Sequence, residues 1–135
     1  MSFDLHDFAT RYTAAWCGQD AASVAAFFAP DGSLTINDGP PSVGRAAITA
    51  AAQEFMTAFP DLKVMMDSVS GEDDRATYRW TLEGHNTGPG GPGASVRISG
   101  YEEWSIGSDG LIAYSLGHFD GEDYQRQIGQ GISSR

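Results

Sequence analysis

Apolar positions near the start of the chain recur at three-to-four spacing. Leu5, Phe8, Tyr12, Ala15 and Trp16 fall on one side of a helix over residues 3–17, with Ser2 or Asp4 as its cap and Gly18 at its end. Asp20 opens a second short helix through Val24, Phe27 and Phe28, which Pro30 stops. Asp31-Gly32 reads as a turn, 33–37 as a short strand, and 38–42, with its glycine and two prolines, as a loop. The alanine-rich stretch 44–59 is a third helix, broken by Pro60. Beyond residue 60 the period changes to two. Strands are expected over 62–71, 76–85, 95–106 and 111–120, with turns at 71–74 and 107–110. A flexible glycine–proline loop covers 86–94, and a short terminal helix or tail follows Asp120. Gly100 sits within the third long strand as an expected bulge or bend.

Helices first and consecutive strands afterwards imply an α+β fold: three N-terminal helices laid across one face of a curved, largely antiparallel sheet. A bent sheet with helices over its open side leaves a central pocket. Tyr78, Trp80 and Leu82 share one face of their strand, and with Trp16 and Trp104 they would either line that pocket or fill it.

Composition narrows the function. The chain has 135 residues, which fits one domain spanning 1–135. Its formal net charge is −10 with only 8 basic residues, so nucleic acid and anionic membranes are poor partners. Cys17 is the one cysteine, which excludes an intrachain disulfide. No signal-peptide pattern or bilayer-length apolar run is present, so a cytoplasmic location is expected. Phosphate loops, nucleophile elbows and zinc-ligand spacings are missing from the sequence.

Several segments taken in order carry a resemblance. They are RYTAAWCGQDAASVAAFFAPDGSLTIND from Arg11, VGRAAI from Val43, RWTLEGHNTG from Arg79, SDGLIAYSLGHFD from Ser108, and YQRQIG from Tyr124. Together they resemble the nuclear-transport-factor-two-like superfamily, in its branch of SnoaL-like polyketide cyclases and ketosteroid isomerases. The resemblance implies a cone-shaped sheet around a pocket for an apolar small molecule, no metal or organic cofactor, and a homodimer through the outer sheet face. Arg79, Thr81, Arg97 and Ser99 are the candidates for that face. The activity it implies is acid/base chemistry through an enolate, either an aldol-type cyclisation or an isomerisation. A fold shared by enzymes and binding modules leaves open a non-catalytic binding module, or a partner domain.

Each candidate residue has a chemical and a structural reading. Tyr12 matches the isomerases' oxyanion-stabilising tyrosine, or is a core phenol bonded to a nearby carbonyl. Asp38 matches their proton-shuttling aspartate, or caps a turn before Gly39-Pro40; Asn37 beside it could take its place on the pocket face. Glu102 matches their second acid, although that is normally an aspartate. Alternation with Trp104 and Ile106 points it inward unless the register shifts at Gly100 and turns Glu103 in instead. Asp120 matches the cyclases' terminal acid/base, or caps the last helix, and His118 shares its face. His85 matches a cyclase histidine but needs a bulge at Gly84 to face inward with Tyr78 and Trp80. The catalytic candidates are therefore Asp120, Glu102, Tyr12 and Asp38. Those for substrate binding are His118, His85, Trp80, Trp104, Asn37, Tyr78 and Trp16.

Overall fold

In the computed structural model of the chain, residues 4–37, 39–72, 74–87 and 93–130 are described, the side chains of 129 and 130 excepted. Asp38 and residues 88–92 of the glycine–proline loop lie outside them. The elements run α1 (Leu5–Cys17), α2 (Ala21–Ala25), β1 (Phe28–Ile36), β2 (Ser42–Val43), α3 (Arg45–Ala58), β3 (Lys63–Glu72), β4 (Arg75–His85), β5 (Ser95–Ile106), β6 (Ile112–Phe119) and α4 (Gly121–Gln130).

The strands form one open six-stranded sheet in the order β2-β1-β6-β5-β4-β3. Every pair is antiparallel except β1 with β6, so the sheet is mixed. Asp4 caps α1 and Asp20 caps α2, each carboxylate accepting a backbone N–H one turn ahead. The second helix is shorter than the sequence suggested, and Phe28 and Pro30 belong to β1. Pro30 is tolerated there because the β1–β6 register jumps between Phe28 and Ser33, leaving no ladder bond for its missing N–H to make. At the end of the expected loop, Ser42 joins Val43 in a two-residue edge strand on β1.

Burial follows the alternation of the strands. One cluster joins Phe8 and Tyr12 of α1, Val24 of α2, Ile48 and Met56 of α3, and Tyr78 and Trp104 of the sheet. A second joins Phe59, Leu62, Val64, Leu82, Val96 and Ile98, and against it pack Tyr124 and Ile128 of α4. The terminal segment is thus a true helix closing one end of the sheet. Buried Gln127 fixes it there, its side-chain oxygen accepting the Arg97 backbone N–H at 2.6 Å.

Candidate functional site

The inner face of the sheet can be read row by row from the strand register. One row runs Ile36–Gly117–Glu102–Tyr78–Val69, and on one side of it lies Leu34–Ser115–Trp104–Ala76. On the other side Phe119, Gly100, Trp80 and Met66 stand abreast. Side chains on one face of neighbouring strands touch their direct and diagonal partners, so Glu102 is surrounded by Tyr78, Trp104, Ser115 and two glycines. Gly117 beside it offers no side chain, and this leaves space in front of the carboxyl. Gly100 is needed where it stands: a Cβ there would lie 2.2 Å from the His118 carbonyl oxygen and 2.7 Å from Cζ2 of Trp80.

A cavity opens over these rows. Its floor is Tyr78, Trp80, Glu102, Gly117 and Phe119. Leu34, Ile36, Val64, Leu82 and Ile98 form its apolar sides, and Trp16, Ala51 and Phe55 of the helices close it above. Room for the centres of water molecules inside it comes to about 70 Å³, against about 10–15 Å³ for a single water on that measure. A compact, mostly apolar molecule fits such a lining. Among the described residues lining it, Glu102 is the only carboxyl.

Glu102 is held from three directions. Trp104 Nε1 and Ser115 Oγ each donate to Oε1 at 2.8 Å, and the Tyr12 hydroxyl lies 3.1 Å from Oε1 and 3.2 Å from Oε2. The residue is 9% exposed, Trp104 is 1% and Tyr12 fully buried. Burial raises the proton affinity of the carboxyl above the ordinary glutamate value, against the partial opposition of the Trp104, Ser115 and Tyr12 hydrogen bonds. Burial and then the neighbouring Glu102 also push the Tyr12 phenol well up, so it stays protonated and donates. Tyr78 is raised too, again chiefly by burial. Its hydroxyl meets Thr13 Oγ; since Thr13 donates its one proton to the Ala9 carbonyl, Tyr78 is the donor. Oε1 of Glu102 is therefore crowded with donors, while Oε2 has only a share of one phenol.

The other sequence candidates lie elsewhere. Trp104 is a wall behind Glu102, stacked on Tyr78 with ring centroids 4.9 Å apart, and does not line the cavity. Trp16, Trp80 and Tyr78 do line it. Asn37 adopts a left-handed backbone (φ 52°) at the end of β1. Its side-chain oxygen accepts the Phe119 N–H at 3.0 Å, clasping β1 to β6 instead of facing the pocket. His118 is on the outer face, 2.7 Å from Glu103 and stacked on Tyr101. Asp120 is exposed, with Oδ1 accepting the Asp123 N–H at the start of α4, and does not meet Tyr12 or Glu102.

No bulge at Gly84 turns His85 inward. Its ring is exposed, with Nδ1 2.6 Å from Asp61 Oδ2, and its backbone N–H donates to Oδ1 at 2.8 Å. These two bonds hold the Asp61 carboxyl below its usual range. Arg79 lies on the outer face over Tyr101, and Arg97 pairs with Glu83. Thr81 and Ser99 share a hydrogen bond there, with Thr81 also donating to Asp67. The position of Asp38 lies outside the described residues. Ser115 was not foreseen, nor was Asp61. Among the described residues no group of three or more His, Cys, Asp or Glu side chains is placed to hold a metal ion. No helix of the described residues is long and apolar enough to cross a membrane.

A family model for the SnoaL-like domain matches residues 9–115. The chain belongs to the SnoaL-like domain family. Solved structures give the same architecture, that of the nuclear-transport-factor-two-like cone. A protein of ketosteroid isomerase-like fold from Catenulispora acidiphila, in complex with trimethylamine, is 18% identical over 91% of this chain and 92% of its own, with TM-score 0.80. A candidate SnoaL-like polyketide cyclase from Jannaschia sp. CCS1 is 18% identical over 91% and 90%, with TM-score 0.81. TerC, co-crystallised with polyporic acid, is 15% identical over 92% and 97%, with TM-score 0.78. No curated protein matches the chain. At such identities the likeness of this SnoaL-like domain to each solved structure is one of fold, and its own side chains must carry the chemistry.

Proposed function

We propose that the protein is a cofactor-independent acid/base enzyme acting on a neutral, mostly apolar carbonyl compound enclosed in the cavity, with Glu102 as the proton carrier. The observation that carries this reading is a buried carboxyl at the floor of an apolar cavity, with one oxygen saturated by donors and the other nearly free. A proton affinity lifted toward working pH suits a group that must both take and return a proton. In the proposed step Oε2 accepts a proton from the carbon next to the carbonyl. The C–H electron pair becomes the enolate π bond, and the carbonyl oxygen takes the negative charge. The enolate then either regains the proton at another carbon, an isomerisation, or adds to a second carbonyl of the same molecule, an aldol-type cyclisation. Trp104, Ser115 and Tyr12 hold the carboxyl in place throughout. Asp120, exposed in its cap, takes no part in this step. The outer face around Arg79, Thr81, Ser99 and Arg97 is proposed as the contact with a second copy of the chain.

The test is hydrogen–deuterium exchange at the α-carbon of neutral one- and two-ring ketones, 1-indanone among them, in D₂O. Catalysed exchange should rise with pH through a midpoint above the ordinary glutamate value, because the base must be ionised. Asp120→Asn should leave the rate within about twofold of the parent, as expected of a surface substitution away from the reacting atoms. Tight ligand binding with no exchange above background across the series would instead favour a binding module, a reading supported by the fully bonded Oε1. Loss of exchange in Asp120→Asn would return the base to that residue.

A further inference from the structure

A glycine inside a strand weakens it, having no side chain to pack and more freedom to lose on folding. It is called for by a left-handed backbone, by a bulge or bend, or by the close approach of another backbone or of a ligand. Gly100 answers to close approach within the protein, since the His118 carbonyl and the Trp80 ring fill the place of its side chain. Gly117 of β6 answers to none of the internal causes. Its backbone is not left-handed. Ile36 of β1 and Glu102 of β5 stand directly across from it in regular ladder, and the register shifts on either side of β6 fall elsewhere, between Phe28 and Ser33 and between Ser105 and Ile106. Among the described residues beyond its chain neighbours, a Cβ at Gly117 would meet only the Thr35 carbonyl oxygen at 3.5 Å and Cγ of Glu102 at 3.9 Å, both ordinary contacts.

The residue is nonetheless buried, and it lines the cavity. Its absent side chain belongs to the inner face. Gly117 is paired with Glu102 and lies two residues from Ser115, whose Oγ reaches the Glu102 carboxyl. Room one side chain deep therefore lies beside that carboxyl. The other places around Glu102 are taken: Tyr78 stands across from it on β4, Trp104 lies two residues along β5, and the Trp80 ring covers Gly100. Ile36 and Phe119, which also line the cavity, flank the room, so an apolar group suits it.

We infer that Gly117 is a specificity-determining residue, and that the room over it receives an alkyl branch on the carbon that gives up its proton, making the substrate class ketones branched next to the carbonyl. This deepens the enolate reading above and rests on it. A carbon placed to lose its proton to Glu102 has Gly117 on its open side, where a branch displaces no side chain. The transfer to Oε2 is the same, with the proton leaving a carbon that carries one more alkyl group.

The probes are 1-indanone and the better-bound enantiomer of 2-methyl-1-indanone, which differ by one methyl on that carbon. Calorimetric titration of the unsubstituted protein should show the methyl ketone bound about fourfold more tightly, the worth of one buried methyl group. Gly117→Ala puts a methyl of the protein in the same place. That variant should no longer favour the methyl ketone, and its urea midpoint should be no lower than the parent's, because neither strain nor a clash opposes the new methyl. In the unsubstituted protein, equal binding of the two probes, tighter binding of 1-indanone, or no binding of either overturns the inference. An alanine variant that still favours the methyl ketone also overturns it, as does one that unfolds in less urea and so makes the glycine a requirement of packing. If the binding pattern holds while the bound methyl ketone exchanges no α-proton in D₂O, the enolate reading fails and the assignment of the room over Gly117 stands.

Discussion

Glu102→Gln should abolish catalysed α-proton exchange and leave the protein at least as stable as before. Removing the group that accepts the proton is expected to cost about 10²–10⁴-fold in rate. The glutamine carbonyl can still accept from Trp104 and Ser115, and its amide can donate to the Tyr12 hydroxyl, which accepts as readily as it donates. The stability effect follows from the direction of the proton-affinity shift. Glu102 binds its proton more tightly in the folded chain than in the unfolded one, because burial disfavours the ion. Between the ordinary value of 4.5 and the raised folded value, the native protein holds a proton that the unfolded chain has lost. Its contribution to stability therefore falls as pH rises through that window and is level above it. The glutamine variant lacks this contribution. Urea denaturation across pH should show the two proteins drawing apart as the parent weakens, with the variant the more stable above the window. A variant that unfolds more readily at pH 8 than the parent would mean the ionised carboxylate is a net stabiliser.

Trp104→Ala carries the largest expected loss of stability. The indole is 1% exposed, stacks on Tyr78, and meets Phe8 and Tyr12 edge to face at 5.7 and 5.2 Å. Truncating an aromatic so placed costs about 3–5 kcal/mol, a large share of the ~5–15 kcal/mol that keeps an ordinary domain folded. Trp104→Phe separates packing from polarity. It keeps a ring against Tyr78 but removes the N–H that Glu102 Oε1 accepts at 2.8 Å. With one fewer donor opposing burial, the carboxyl should hold its proton still more tightly, and the rate profile for exchange should move to higher pH. Denaturation of the alanine variant and the pH profile of the phenylalanine variant check the two halves. A loss under about 1 kcal/mol in the first, or an unmoved profile in the second, would contradict this packing and this network.

The architecture was legible because, apart from one short early strand, the period of the apolar pattern is helical before Pro60 and alternating after it. The inward turn of Glu102 was legible for the same reason, from its parity with Trp104 and Ile106. What could not be read was the register between β5 and β6. Continued without a shift, the observed pair of Ile106 with Ile112 would carry Glu102 onto Leu116 and Gly100 onto His118. A shift between Ser105 and Ile106 moves every later pair by one residue, so Glu102 faces Gly117 and Trp104 faces Ser115. One residue of slip exchanges the two faces of a strand. It brings Ser115 to the carboxyl and sends His118, expected at the pocket, out to Glu103. No residue around Ser105 signals that shift. Asn37 was misjudged for a different reason: its left-handed backbone turns the side chain back to clasp Phe119, and asparagine is equally at home in a turn or a pocket. His85 followed strict alternation, and its partner Asp61 lies on a turn after α3 that strand periodicity does not reach.

The account stands on one carboxyl enclosed at the cavity floor with its proton affinity shifted by burial. A ¹³C NMR titration of the Glu102 carboxyl in the unliganded protein measures this directly, with Glu102→Gln supplying the assignment. The midpoint should lie above 4.5 and move again when 1-indanone fills the cavity. A carboxyl that titrates at or below 4.5 and ignores the ketone would place Glu102 in contact with water and remove the basis for the chemistry proposed.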